Sequence, residues 1–219
     1  ALVSMDPKTG EILAMVGSID YFDTENDGNV NVALRQRQPG SSLKPLIYAA
    51  AFEKGYSPAT MLMDVETDFG NGYKPQNYDG KFRGPVSIRR SLGNSLNIPA
   101  VKALAIVGVK NATDLAQKMG IASLNDPDRY GLSMVLGGGE VKLLELVNAY
   151  ATLASGGIHH DPHPILKVED NNGKVLEEYK SDDDKGERVL DENAAYLVTN
   201  ILSDDSARAE VFGMGGILT

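Results

Sequence analysis

Apolar and polar positions change rhythm several times along this chain, and each change marks an element. Leu2-Val3-Ser4-Met5 and Ile12 to Val16 are short apolar runs on either side of Asp6-Pro7-Lys8-Thr9-Gly10-Glu11. That pattern predicts a β-hairpin at residues 1–17, with Pro and Gly placed as a tight turn requires. Residues 17–40 are polar and rich in Gly and Asn, and read as irregular loop. A helix is predicted from Ser41 through Leu46-Ile47-Tyr48-Ala49-Ala50-Ala51-Phe52 to a stop at Gly55. Pro45 is compatible with it only in the first turn, which sets the start close to Ser41. Residues 56–85, dense in Gly, Asn, Asp and Pro, read as loop again.

Helices are predicted over 86–93, over 99–107 opening on Pro99, and over 111–119 stopping at Gly120. A longer one runs from Glu140 to Ala154, with Val141, Leu144, Leu146-Val147 and Tyr150-Ala151 at helical spacing, and ends at Gly156-Gly157. Residues 165–170 and 174–179 flank Asn171-Asn172-Gly173 as a projecting hairpin. A last helix covers 191–203, and Asp182-Asp183-Asp184 reads as a solvated loop. The pattern gives an α+β fold, a helix-rich body about 41–155 with antiparallel hairpins near both ends.

Composition narrows the class without choosing a function. At 219 residues and 42% hydrophobic, a single domain can bury roughly 70% of its unfolded surface without staples. There are no cysteines, so disulfides and thiolate metal sites are excluded. The net charge of −9 argues against a nucleic-acid partner, whose usual footprint is a basic face. The absence of an apolar run near ~20 residues leaves no membrane span in the sequence. The chain opens in mid-strand at Ala1 with no initiator methionine, and reads as a piece of a longer protein.

The candidate chemistry begins at Ser41-Ser42-Leu43-Lys44. Residues i and i+3 share a helix face at about 5–6 Å between Cβ atoms, so Ser41 and Lys44 meet by construction. Gly40 leaves the serine approachable at a helix N-terminus, where free N–H groups favour a developing oxyanion. A lysine serves as base only when part of it is neutral, which burial and nearby positive charge promote. Ser95-Leu96-Asn97 follows Gly93 and precedes Ile98-Pro99. Because Pro99 disfavours the α region at Ile98, Ser95 and Asn97 are expected on a loop between helices, offering a hydroxyl and an amide to one cleft. Singly, each pattern reads first as an ordinary helix end, with a solvated lysine in the first; as a pair they supply nucleophile, base, proton shuttle and amide.

With its flanks the chain resembles the transpeptidase domain of class A penicillin-binding proteins, bifunctional enzymes of peptidoglycan synthesis. The resemblance rests on Asp6 to Gly17, on Arg37-Gln38-Pro39-Gly40-Ser41-Ser42-Leu43-Lys44-Pro45, and on Asn77-Tyr78-Asp79-Gly80. It continues in Asn94-Ser95-Leu96-Asn97-Ile98-Pro99-Ala100-Val101 and Leu136-Gly137-Gly138-Gly139-Glu140-Val141, and so spans essentially the whole chain. It implies a penicillin-binding/serine β-lactamase-like fold and a serine D,D-transpeptidase needing neither cofactor nor metal. The substrates implied are stem peptides ending in D-Ala-D-Ala, with β-lactam antibiotics as inhibitors. By motif, Ser41 attacks, Lys44 takes its proton, Ser95 relays a proton to the leaving amine, and Asn97 holds the substrate amide and braces Lys44. The domain implied is extracytoplasmic, in a parent tethered to the membrane beside a glycosyltransferase domain.

The superfamily's third motif, Lys-Thr-Gly, is expected beyond Thr219. Lys8-Thr9-Gly10 spells it in the wrong place, a hairpin turn. The missing C-terminal strands are expected as a separate fragment or second chain; otherwise residues 1–17 are expected to be disordered or paired by another chain. Asp23-Thr24-Glu25-Asn26-Asp27-Gly28 begins like a calcium loop, but the twelfth position is Leu34 where a Glu is required. His159-His160-Asp161-Pro162-His163 lacks regular ligand spacing and reads as surface loop. Glu140 reads as a helix N-terminal charge without a catalytic role. Two other functions fit the same residues: a serine β-lactamase, and a non-catalytic β-lactam-sensing or structural domain; a further alternative is that the chain by itself, without the third motif, is inactive.

Overall fold

The computed structural model describes residues 1–180 and 185–216, so Asp182-Asp183-Asp184 lies outside the described residues. Its centre is helix α1 (Lys44–Glu53), in which every residue but the last is buried. A helix apolar on all sides must be enclosed, and α1 is: α2 (Ile88–Gly93), α3 (Asn97–Val107), α4 (Val109–Lys118) and α6 (Glu192–Leu202) all pack on it. Ala49, Ala50 and Ala51 let these neighbours approach closely. Leu46, Ile47, Val101, Leu104, Met119, Val198 and Ile201 belong to the single core that results. Helix α5 (Leu143–Ala154) packs against α6 on one side of it.

Among the described residues the strands form four separate antiparallel pairs. The N-terminal hairpin is β1 (Leu2–Met5) with β2 (Ile12–Val16), in register Leu2↔Val16. Its turn contains Lys8-Thr9-Gly10, closed by Gly10 N–H donating to the Asp6 carbonyl. Within this chain it is supported by contacts from the region after α5. Ile12 N–H donates to His163 O at 3.0 Å, His163 N–H to Gly10 O at 3.1 Å, and Ser155 Oγ to the Pro7 carbonyl. The strand β1 also packs on α5.

Several boundaries differ from the sequence reading. The expected loop 56–85 contains β3 (Met61–Asp64), paired with β4 (Gly84–Ser87). β3 alternates exposed and buried positions, but both strands are four residues long, too short to stand out from the polar background. The predicted helix 140–154 starts only at Leu143, so Glu140 is not a helix-terminal charge; the acid in the first turn is Glu145, bonded to Ser123 Oγ. The His159-His160-His163 stretch is not a surface loop. His159 lies on β5 (Ile158–His159), His160 is buried, and His163 stacks on Tyr179 with ring centroids 3.8 Å apart. The projecting hairpin is present as β6 (Lys167–Glu169) and β7 (Val175–Glu178), and β8 (Glu187–Arg188) pairs with β5. In the stretch that resembles a calcium loop, Asp23 spends its carboxylate on Glu25 N–H, Asn26 N–H and Asn26 Nδ2.

A further helix, α7 (Asp205–Phe212), follows α6 and was not expected. It is capped by Asp204, which accepts from Ser206 N–H at 3.0 Å and Ala207 N–H at 3.3 Å. None of its residues is buried, so no apolar periodicity announced it. It docks on α2 through Asn94, which donates to Ala207 O at 2.8 Å and accepts from Val211 N–H at 3.0 Å. Glu210 adds bonds to Arg83 Nε at 2.7 Å and Arg90 Nε at 2.8 Å. The contact needs Gly93, because a Cβ there would lie 2.5 Å from Ala207 O.

Candidate active site

Ser41 stands in a 3-10 turn, Gly40–Leu43, that feeds directly into α1. The left-handed Gly40 (φ +60°) and Pro39 bend the chain into that turn, and Pro45 sits in the first α turn, where its missing N–H costs nothing. Gly137 (φ +101°) backs the turn so closely that a Cβ would lie 2.6 Å from Gly40 N and Cα. Gly137→Ala is therefore expected to lower stability by roughly 1–3 kcal/mol in thermal unfolding and to slow any reaction of Ser41.

Ser41 is exposed at the mouth of a cleft, and Lys44 lies one turn inward with 1% of its surface accessible. Lys44 Nζ is 2.6 Å from Ser95 O, 3.1 Å from Ser95 Oγ and 2.7 Å from Asn97 Oδ1. The four residues chosen from the sequence are thus brought together: Ser41, Lys44 and Ser95 line one cleft of about 570 Å³, and Asn97 braces Lys44 from behind. Burial pushes the Lys44 amine down to about 7, while its three acceptors favour the charged form. The competition leaves a group able to exchange a proton near neutrality.

The junction between α2 and α3 delivers Ser95 by an unusual backbone. Ser95 has φ +53°, left-handed for a non-glycine residue, while Ser95 N–H donates to Leu92 O and Leu96 N–H to Ser91 O. Such a conformation costs of order 1 kcal/mol, and here it turns both the carbonyl and the hydroxyl of Ser95 onto Lys44. Asn97, expected on a loop, is instead the first residue of α3, and Ile98 is helical. Pro99 falls in the first turn, where its absent N–H is one that no helix would use. Burial of Ile98 at 0% exposure outweighs the local bias against helix before proline.

Sequence reading missed the groups around these four. Tyr150, raised to about 12 by burial, donates to Ser42 O at 2.9 Å and lines the cleft. Leu202, Arg208 and Phe212 close it from α6 and α7. Behind Asn97 stand Gln76 and Asn77, whose Asn77-Tyr78-Asp79-Gly80 turn signal was visible without its purpose. Among the described residues lining the cleft none is acidic. A second concavity of about 520 Å³ follows the β6–β7 hairpin, where Ile165, Leu166 and Tyr179 are among its lining residues, and none of the four residues chosen from the sequence lies in it.

Comparison with known proteins adds lineage to geometry. Residues 1–213 match the family described as penicillin binding protein transpeptidase domain. Penicillin-binding protein 1A of Rickettsia bellii is 39% identical over 188 residues, 84% of this chain and 23% of that protein. The crystal structure of penicillin-binding protein 1A from Haemophilus influenzae superposes with a TM-score of 0.80 at 29% identity, over 98% of this chain and 35% of that one. The PonA1 protein of Mycobacterium tuberculosis in complex with penicillin V gives 0.79 at 27% identity, over 91% and 54%. The chain spans about a quarter of the length of the first of these relatives. Helix-rich body, antiparallel strand pairs and sequence agree: the chain belongs to the penicillin-binding protein transpeptidase family, among the homologues of penicillin-binding protein 1A.

Proposed function

We propose that this chain forms the acyl-transfer core of a D,D-transpeptidase that cross-links peptidoglycan stem peptides. The observation that carries the reading is the buried Lys44 amine, bonded to Ser95 and Asn97 in the same cleft that exposes Ser41. Ser41 Oγ attacks the carbonyl carbon of the penultimate D-alanine as its proton passes to the neutral Lys44 amine. The tetrahedral intermediate collapses by breaking the amide C–N bond. Ser95 relays the proton to the departing nitrogen, and D-alanine leaves. Asn97 orients Lys44 and holds the substrate amide. The ester on Ser41 is then attacked by an amine of a neighbouring stem peptide, which restores the serine.

A β-lactam presents the same reactive carbonyl in a ring, so its leaving nitrogen stays attached and blocks the acceptor. Penicillin V bound to the PonA1 relative is consistent with this. Among the described residues the cleft lining holds no carboxylate to activate a deacylating water, which supports a transpeptidase over the β-lactamase alternative. Intact-mass measurement after penicillin treatment tests the choice. An adduct on Ser41 that survives for hours is expected, and turnover within minutes would point to a lactamase. No helix among the described residues is long and apolar enough to cross a membrane; we place the domain on the extracytoplasmic face, tethered through other parts of its parent protein beside a glycosyltransferase domain, because its substrate class lies there.

A further inference from the structure

Helix α3 begins at the catalytic cleft without a cap of its own: Leu96, the residue before it, offers no side-chain acceptor. The acceptor comes from twenty residues upstream, where Asn77 Oδ1 takes the Asn97 N–H at 2.8 Å. Asn77 is 5% exposed, and its Nδ2 donates to both Asp64 oxygens at 2.9 Å and to Lys81 O at 2.8 Å. Asp64 is fully buried at the end of β3 and also accepts from Arg83 N–H at 3.1 Å. A carboxylate can only accept, so it dictates which end of the Asn77 amide faces it. The oxygen is thereby left for α3.

The same turn fixes the second amide. Asn97 Nδ2 donates to Gln76 O at 2.7 Å, which leaves Asn97 Oδ1 facing Lys44 Nζ. A neutral lysine amine has two N–H groups and one lone pair. Its two shortest contacts, Ser95 O and Asn97 Oδ1, can only accept and so occupy both N–H groups. The lone pair is then left for the hydroxyls. Were the Asn97 amide reversed, its NH2 would bond that lone pair and leave no base.

We propose that Asn77, held by Asp64, is a positioning residue: it fixes the Asn97 backbone and the turn whose Gln76 carbonyl takes the Asn97 amide N–H, so that Asn97 Oδ1 faces Lys44 and the Lys44 lone pair stays available to serine. This rests on the acyl-transfer reading above and adds to it a control from outside the cleft. The other polar side chains lining the cleft with Lys44 are Ser41 and Ser42 on its own turn, Ser95 from the α2–α3 junction, Tyr150 from α5 and Arg208 from α7. Asp64 stands one layer further back, with Arg83 Nη1 4.0 Å from it. Among the described residues, Asn77 with Asp64 behind it and the neighbouring Gln76 carbonyl are what reach Lys44 through Asn97.

The test is the rate of acylation by a fluorescent penicillin from pH 5.5 to 9. Asn77→Ala is expected to lower the plateau on the order of tenfold and to move the midpoint down by about one pH unit, because the ammonium loses a fixed acceptor. If Asn77→Ala does not fold, Asn77→Asp, equal in size, carries the test by setting a carboxylate against Asp64 where a donor stood. In an Asn97→Ala background the Asn77 substitution should add nothing, since it acts through that residue. A folded Asn77 variant with the wild-type profile, or full additivity with Asn97→Ala, would overturn the proposal. Ser41→Ala separates the two levels: labelling that persists in it removes the acyl-transfer reading itself, whereas its loss beside a normal Asn77 profile removes only the relay.

Discussion

Ser41→Ala abolishes covalent labelling by penicillin while leaving the fold unchanged; this is the largest effect expected of any single substitution here. A serine ester needs that oxygen, and deleting a nucleophile costs on the order of 10³-fold or more even where binding survives. Stability is expected to move by less than about 0.5 kcal/mol, since Ser41 is exposed and its turn is set by Gly40, Pro39 and the Gly137 contact. Labelled peptide mapped to Ser42 instead would reassign the nucleophile. Ser42 lines the cleft as well, but its hydroxyl is already engaged with Pro39 O at 2.6 Å.

The second large effect concerns Lys44. Acylation is expected to rise about tenfold per pH unit below 7 and to level off above it, following the neutral fraction of an amine depressed to about 7 by burial. Lys44→Met should remove that step and slow acylation roughly 10²–10⁴-fold. The same shift has a stability signature with the opposite chemistry. The folded-state value lies below the ordinary lysine value of 10.5, so between about 7 and 10.5 the unfolded chain binds more protons than the folded one. Stability must then rise with pH across that window. The amine is most costly to the fold below 7, where it is charged while buried. Denaturant melts of wild type and Lys44→Met at pH 7 and pH 9.5 check the sign. The wild type should gain on the variant as pH rises; a constant difference would show that Lys44 is charged throughout.

How far the site could be read in advance depended on how locally each part is specified. Ser41 and Lys44 are joined by one turn, and the Gly40 and Pro45 signals that fix that turn lie within four residues of the serine. The N-terminal hairpin was equally legible, with two apolar runs around a Pro-Gly turn. Its support was not, because it comes from Ser155 and His163, about 150 residues on. Asn97 was placed on a loop because the rule for residues before proline is steric and local, and burial of Ile98 overrode it. Strand β3 and helix α7 escaped notice for the same reason: a four-residue strand and a helix with no buried face carry almost no periodicity.

The amino-acid sequence by itself determined the parts of the proposed chemistry: the residue types, their order, and the one helical turn that seats a serine above a lysine. These follow from propensities and spacings that act over a few residues. Only the tertiary structure decided how that chemistry is tuned. The burial that brings Lys44 near neutrality depends on elements 51 to 53 residues away that supply its acceptors. The start of α3 at Asn97 is held by Asn77 and, behind it, Asp64, bonded across separations of 20 and 13 residues. Desolvation and long-range hydrogen bonds exist only once distant segments have packed, so no local pattern encodes them.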